Sequence, residues 1–247
     1  MVYVTASRGY KGPAYNVFFN MQARDDIALA PEKSKSYELG LKSELLDRRL
    51  RLNLAAFQTD YDGYQANVPD LVNGTIVTRL INAGTVSTKG VEADLTARVT
   101  SAFTINAGVA NIIARVKNFN CPPNAAASCD INGKPLPFSP DWKASLRLKY
   151  TQPLGGALSL DYGADVSWQS KTIFDLQQQP DSVQQAYTIV NASIALQSTA
   201  GWRLALVGKN LTDQSYASFI QSSGNHINRY VPRDDARYFG VSFRYDF

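Results

Sequence analysis

The residue types that most often carry chemistry are scarce in this 247-residue chain, which has two cysteines and one histidine. The cysteines stand in Cys121-Pro122-Pro123-Asn124-Ala125-Ala126-Ala127-Ser128-Cys129. A small-residue, proline-rich spacer suits a local disulfide in an oxidising compartment, stiffening an exposed loop. A metal reading would need further ligands, and neither histidine nor a second cysteine pair is nearby, so no metal site is expected. Free thiols are the remaining alternative. His226 lies in Gly224-Asn225-His226-Ile227-Asn228-Arg229-Tyr230, with Ser222 and Ser223 just before it. Serine and histidine can hydrolyse esters on the rim of a membrane barrel, but no partnering acid occurs at a recognisable spacing. A solvated loop histidine is the plainer reading. The chain carries no Gly-x-Ser-x-Gly elbow, phosphate-cradling glycine loop or metal-ligand helix, so neither an enzyme nor a cofactor is expected. Asn73-Gly74-Thr75, Asn191-Ala192-Ser193 and Asn210-Leu211-Thr212 match glycosylation acceptors by chance.

The elements that would position such residues are clearer. In the last nine residues, Phe239-Gly240-Val241-Ser242-Phe243-Arg244-Tyr245-Asp246-Phe247, every odd position is apolar or aromatic and no even position is. Strict alternation describes a strand with one greasy and one polar face. The pattern recurs in Tyr37–Leu45, Val91–Val99, Trp142–Tyr150 and Leu158–Trp168. Across these five segments 26 positions fall on the apolar face and none is charged, whereas 13 of the 21 opposite positions are charged. Glu38, Lys42, Glu44, Glu92, Asp94, Lys143, Arg147 and Asp161 are among them. A face this charged lines water.

A soluble sandwich would bury the apolar face, whereas a membrane barrel turns it to lipid. Loop lengths separate the two. Strands are expected at roughly 1–9, 35–46, 50–64, 76–98, 102–118, 141–152, 156–171, 184–198, 202–211 and 235–247. The connections then alternate. Asp47-Arg48-Arg49, Val99-Thr100-Ser101, Gln152-Pro153-Leu154-Gly155 and Ser198-Thr199-Ala200-Gly201 are tight. The segments 10–34, 65–75, 119–140, 172–183 and 212–234 are long and polar. Short periplasmic turns on one rim and long extracellular loops on the other are how outer-membrane barrels are built. The fold class is therefore all-β, an antiparallel transmembrane barrel of about ten strands in this chain.

Composition agrees. The chain is 45% hydrophobic, yet its mean hydropathy is -0.22, because apolar residues alternate with polar ones. No run approaches the ~18–20 apolar residues of a membrane helix, and a barrel needs none. Tyr37, Trp142, Tyr150, Trp168, Phe239 and Phe247 sit where apolar faces end, as an interfacial girdle would. Ordinary β-propensity also enriches aromatics. The net charge of +4 is mild and basic residues interleave with acids, so no nucleic acid partner is expected. The residues from Met1 to Arg8 already read as a strand, with no signal peptide, so the chain is expected to be a fragment of an exported protein.

Four stretches carry a family resemblance. Ser36-Tyr37-Glu38-Leu39-Gly40-Leu41-Lys42-Ser43 with Leu50-Arg51-Leu52-Asn53-Leu54-Ala55-Ala56-Phe57 resembles paired strands of TonB-dependent receptors. Ile81-Asn82-Ala83-Gly84-Thr85-Val86-Ser87-Thr88-Lys89-Gly90-Val91-Glu92 resembles that family's Asn-Ala-Gly…Gly-Val-Glu segment. Val207-Gly208-Lys209-Asn210-Leu211-Thr212-Asp213-Gln214-Ser215-Tyr216 is similar to its next-to-last strand and exit. The ending Phe243, Tyr245, Phe247 is similar to its C-terminal assembly signal, read by the barrel-insertion machinery. The resemblance implies a 22-stranded barrel plugged by an N-terminal domain. Residues 1–247 would be its C-terminal part, with the plug, the TonB-contacting box and about twelve strands absent; a narrow barrel closed by these ten strands alone is the alternative.

The function this implies is an outer-membrane receptor for energy-coupled uptake of a scarce ligand, such as a ferric siderophore, with TonB engaged only through the missing plug. Lipid and the assembly machinery are the other expected partners. Ligand-binding candidates in the outer loops are Arg8, Tyr10, Lys11, Tyr15, Phe18, Arg229, Tyr230 and Arg233, because arginines and aromatics suit anionic, catechol-like ligands. The competing reading for each is a solvated loop residue or rim anchor. A passive porin-like channel and, less in keeping with the residues, a rim hydrolase are the alternative functions.

Overall fold

The computed structural model describes residues 1–17, 27–72, 75–121, 129–223 and 226–246, with side chains outside 68–78 and 223. Phe18, Asn73 and Phe247, singled out from the sequence, lie outside the described residues. Among the described residues fourteen strands occur in order: β1 (Val2–Lys11), β2 (Glu32–Leu45), β3 (Leu50–Val72), β4 (Thr75–Arg98), β5 (Phe103–Phe119), β6 (Trp142–Gly155) and β7 (Leu158–Gln169). Then come β8 (Thr172–Ile173), β9 (Val183–Gln184), β10 (Tyr187–Ser198), β11 (Trp202–Lys209), β12 (Phe219–Ser223), β13 (His226–Tyr230) and β14 (Tyr238–Tyr245). Ten of them form one antiparallel sheet in the order β1-β2-β3-β4-β5-β6-β7-β10-β11-β14. These are the ten strands expected from the sequence. The other four make two small ribbons, β8–β9 and β12–β13, inside segments read from sequence as loops.

The register makes the two faces continuous. Leu52 pairs with Leu95, Leu95 with Ala107, Ala107 with Leu146, Leu146 with Val166, and Val166 with Val190. A second row runs Tyr150, Tyr162, Ile194, Leu206, Val241. Because the side-chain period is two, one slip anywhere would have thrown charges among these rows. None occurs. The apolar face is also bare: Val4 is 78% exposed, Leu39 54%, Val241 75% and Phe243 67%. Among the described residues no second sheet lies over it, so a sandwich is excluded and the bare face is left for lipid. Among the described residues no helix is long and apolar enough to cross a membrane.

Three sequence expectations need correction. Residues 65–72 are not loop: β3 and β4 run for 23 and 24 residues, far beyond the ~9–11 a tilted strand needs to cross the bilayer. The stretch that read as loop is the upper part of the β3–β4 hairpin, whose backbone stays paired from Gln65 with Asn82 to Val72 with Thr75. Gly63, in the left-handed region at φ 67°, marks the register shift where this extension begins. Tyr10 and Lys11 belong to β1, not to the loop after it. The last strand spans Tyr238–Tyr245 rather than starting at 235, because Asn210 and Asp213 hold the preceding segment in hydrogen bonds of their own.

Among the described residues β1 pairs only with β2, and β14 only with β11, so this sheet has two open edges. Tyr3 covers Gly40 on the charged face of the β1 edge, where a Cβ at Gly40 would overlap its ring. Its hydroxyl donates to Glu38 Oε1 at 2.5 Å, and Lys42 Nζ stands 5.3 Å from the ring centroid. This aromatic-over-glycine arrangement stiffens a weak strand position.

Candidate functional site

The long-loop rim is knitted together rather than splayed. Phe138, Phe174, Phe219 and Tyr230 come from three different connections, after β5, after β7 and after β11. Phe138 stacks on Phe219 at 5.7 Å between centroids, and Phe219 on Tyr230 at 5.5 Å. Phe174 meets Phe138 and Phe219 edge-on at 5.2 and 5.9 Å. Beside them Phe174, Ala217 and Ile220 form one small core, while Val116, Ile131 and Leu176 form another with Ala66, Phe119 and Leu136. Hydrogen bonds from backbone N–H groups, one to a carbonyl and one to a side-chain amide, cross the same seams. Phe138 N donates to Ile173 O at 2.9 Å, and Ala217 N to Gln184 Oε1 at 2.7 Å. Phe138 is held in the left-handed region at φ 61° and stays 58% exposed. A bulky residue in that conformation is a local strain that packing must sustain.

Two asparagines that sit in the family-like motifs anchor this rim to the sheet. Asn210, 3% exposed, receives Gln214 N on Oδ1 at 2.9 Å and donates through Nδ2 to Gln214 O at 3.1 Å and to Asp235 O. Its own N–H donates to Asn191 Oδ1 at 2.9 Å, and Asn191 Nδ2 donates to Asp165 Oδ1 at 2.9 Å. Asn82 does the same for the loop after β1. It accepts from Ala30 N at 2.8 Å and donates to Ala30 O and Gly63 O at 2.9 and 2.8 Å. Gly84 follows at φ 122°, where any Cβ would overlap the carbonyl of Asn118. Asn16 and Gln65 complete the tie. Asn16 exchanges two bonds with the backbone of Leu80, and Gln65 Nε2 reaches Gly12 O and Ala30 O. Arg115 grips Asp141 with two 2.9 Å bonds at the foot of the loop after β5.

Below the rim the charged face carries mixed charge. Arg147, Lys149, Asp161, Asp165, Arg203 and Arg244 line a groove of about 560 Å³. Asp161 accepts from Thr151 Oγ1 at 2.7 Å and lies 3.7 Å from Lys149 Nζ. A wall of alternating acids and bases with hydroxyls and amides between them stays hydrated and accepts polar partners of either sign.

The structure scatters the candidate residues. Arg8, Tyr10 and Lys11 lie on β1, and Tyr15 is exposed in the loop that follows. Arg229 and Tyr230 lie on β13, and Arg233 is exposed just beyond it. These groups sit at opposite edges of the open sheet. In β1 the parity that turns Val2, Val4 and Ala6 outward beside Leu41, Leu39 and Tyr37 also turns Arg8 and Tyr10 outward, while Lys11 faces the charged side. Tyr230 alone joins the aromatic stack. Cys121 and Cys129 form a disulfide with Cα atoms 5.9 Å apart. His226 is exposed opposite Ser223, with no acid hydrogen-bonded to it among the described residues. Sequence reasoning missed Phe138, Phe174 and Phe219, whose stacking is long-range, and Asn82 and Asn210 as anchors, although their recurrence in two family-like motifs was the available signal.

The family described as TonB dependent receptor-like, beta-barrel matches residues 1–211. The chain belongs to this family of Gram-negative outer-membrane barrels. It is 26% identical over 243 residues to the ferric-pyoverdine 358 receptor of Pseudomonas putida, covering 95% of this chain and 27% of that protein. It is 28% identical over 227 residues to the ferric-pyoverdine M114 receptor PbuA of Pseudomonas sp. (strain M114), covering 90% and 25%. Among solved structures, the ferric yersiniabactin uptake receptor FyuA of Yersinia pestis superposes with a TM-score of 0.80 at 23% identity, over 100% of this chain and 35% of that one. The chain thus spans about a quarter of the length of these curated relatives.

Proposed function

We propose that this chain forms the last ten transmembrane strands of an outer-membrane receptor for energy-coupled uptake of a ferric siderophore, a pyoverdine-like peptide chelate being the first to test. The observation that carries the reading is the likeness, across nearly the whole chain, to proteins named as ferric-pyoverdine receptors. The two open sheet edges and the knitted rim support it, since a larger barrel would pair the edges and need an ordered mouth. The ligand would meet the exposed faces of Phe138 and Tyr230, with Arg229 and Arg233 supplying charge-assisted hydrogen bonds to its anionic groups. Tyr15 and Lys11 would contribute from the opposite side once the barrel is complete. A plug upstream would transmit energy from TonB. Phe243, Tyr245 and Phe247 would present the final strand to the assembly machinery, and the bare apolar face would meet lipid.

Iron-limited growth and radiolabelled ferric-siderophore uptake by cells carrying the complete gene, with and without a protonophore, test this. Uptake abolished by the protonophore is the expected result. Uptake that persists, with diffusive conductance in planar bilayers, would replace the receptor by a passive channel.

A further inference from the structure

A side chain decides where the chain leaves β11. One row of the charged face runs Thr96, Asn106, Arg147, Asp165 and Asn191 across β4, β5, β6, β7 and β10. At the end of that row the ladder between β10 and β11 stops at Ala192 and Gly208. Beyond it Asn210 N donates to Asn191 Oδ1 at 2.9 Å, a side-chain acceptor rather than a backbone carbonyl. Asn210 then adopts the left-handed conformation, at φ 46°, which asparagine tolerates better than most residues. Leu211 N reaches Val190 O at 2.8 Å, and the excursion of 211–237 begins.

The Asn191 amide can hold Asn210 in one orientation only, and Asp165 sets it. A carboxylate accepts hydrogen bonds and donates none. Asn191 therefore turns Nδ2 to Asp165 Oδ1, 2.9 Å away, and its own Oδ1 is left for Asn210. Asn210 in turn ties both ends of the excursion. It bonds Gln214 at the start and Asp235 O near the return, while Asp213 Oδ1 accepts Arg237 N at 2.9 Å. Between these ties lie Arg229, Tyr230 and Arg233. A one-residue slip at Asn210 would shift the excursion against the sheet and reverse the facing of the residues that enter it.

We propose that Asp165 and Asn191 are positioning residues for the imported ligand. Asp165 orients the Asn191 amide, Asn191 fixes the residue at which β11 ends, and Asn210 carries that placement to Arg229, Tyr230 and Arg233. The proposal rests on the receptor reading above. Both residues act through the excursion, so their chemistry matters to the ligand only as far as it sets where those three groups stand.

The complete receptor carrying Asn191→Asp tests this, by hydrogen exchange over 210–237 without ligand and by calorimetric affinity for a ferric pyoverdine. Two facing carboxylates and a lost Nδ2 donor are expected to speed exchange and to weaken binding about tenfold, the scale of one hydrogen bond to a charged group. Adding Asp165→Asn is expected to restore both, because the donor then sits at position 165 and the carboxylate at position 191 still accepts Asn210 N. Gln197→Glu, which adds the same charge on β10 away from this chain of bonds, is expected to leave both near wild type. Wild-type exchange and affinity in Asn191→Asp, no recovery in the folded double variant, or an equal loss in Gln197→Glu would each overturn the proposal. If Asn191→Asp loses heat-modifiable migration, Asn191→Ala is read alone and with Asp165→Asn. A loss that the second change does not restore is then expected, and either wild-type behaviour or restoration would overturn the proposal. A wild-type receptor that binds no ferric pyoverdine would overturn the receptor reading instead, and exchange alone then decides the positioning.

Discussion

Replacing Phe243 with arginine tests the facing of the whole sheet through one side chain. The outward positions of β14 are Phe239, Val241, Phe243 and Tyr245, and the midpoint of that stretch falls at Ser242. Phe243 stands about 3 Å along the strand from it, deep in the apolar belt. It opposes Leu204 and is 67% exposed, so no protein group is placed to accept a guanidinium there. An arginine facing lipid near the midplane costs about 2–4 kcal/mol, falling to about 0–1 at the interfaces. Phe243→Arg is therefore expected to destabilise the complete barrel by about 2–4 kcal/mol. Arg244, one residue on, faces the other way, and its 2.7 Å pair with Asp246 is largely exposed, so Arg244→Ala should cost less than about 1 kcal/mol. The assay is urea-dependent refolding into short-chain lipid vesicles, scored by heat-modifiable migration. A Phe243→Arg barrel as stable as wild type, or an equal loss from Arg244→Ala, would refute the facing.

Other substitutions probe the rim. Asn210→Ala removes the bonds to Gln214 and Asp235 in a buried setting and is expected to cost about 2–4 kcal/mol, seen as faster hydrogen exchange from 210 to 237. Gly84→Ala, at φ 122° against the Asn118 carbonyl, should open the top of the β3–β4 hairpin to protease while leaving the belt folded. Phe138→Ala removes the stack on Phe219 and the edge contact with Phe174. Each such pair carries about 0.5–1.5 kcal/mol beyond its buried area, so the loops after β5, β7 and β11 should exchange together and siderophore affinity should fall. Cys121→Ser should loosen only the loop it closes, with barrel stability by urea titration unchanged.

Strand number, order and facing were legible in the sequence because a period of two is a local signal, repeated in five segments and enforced by charge. The tight turns were legible for the same reason, their positions following from where alternation stops. The upper half of the molecule was not. Residues 65–72 lack the strict apolar–polar alternation and contain Pro69, so composition alone made a strand look like a loop. The stack joins Phe138 to Phe219 and Tyr230, about eighty to ninety positions further on, and nothing local in Leu136-Pro137-Phe138-Ser139-Pro140 marks it. Arg8 and Tyr10 were chosen by residue type as ligand contacts, yet counting parity onward from Val4 would already have turned them outward. The asparagines of the two motifs resembled the family before their role was visible. Their hydrogen bonds reveal that role as fastening long loops to the sheet.

The facing of β2 is the most direct test of the account. Spin labels placed singly from Tyr37 to Leu45 in the membrane-inserted complete protein would be read for accessibility to oxygen and to a water-soluble nickel chelate. Oxygen accessibility is expected to peak at Leu39, Leu41 and Leu45, with nickel accessibility peaking at Glu38, Lys42 and Glu44. Loss of the two-residue alternation, or its inversion, would contradict the assignment of the uncharged face to lipid and of its reverse to water.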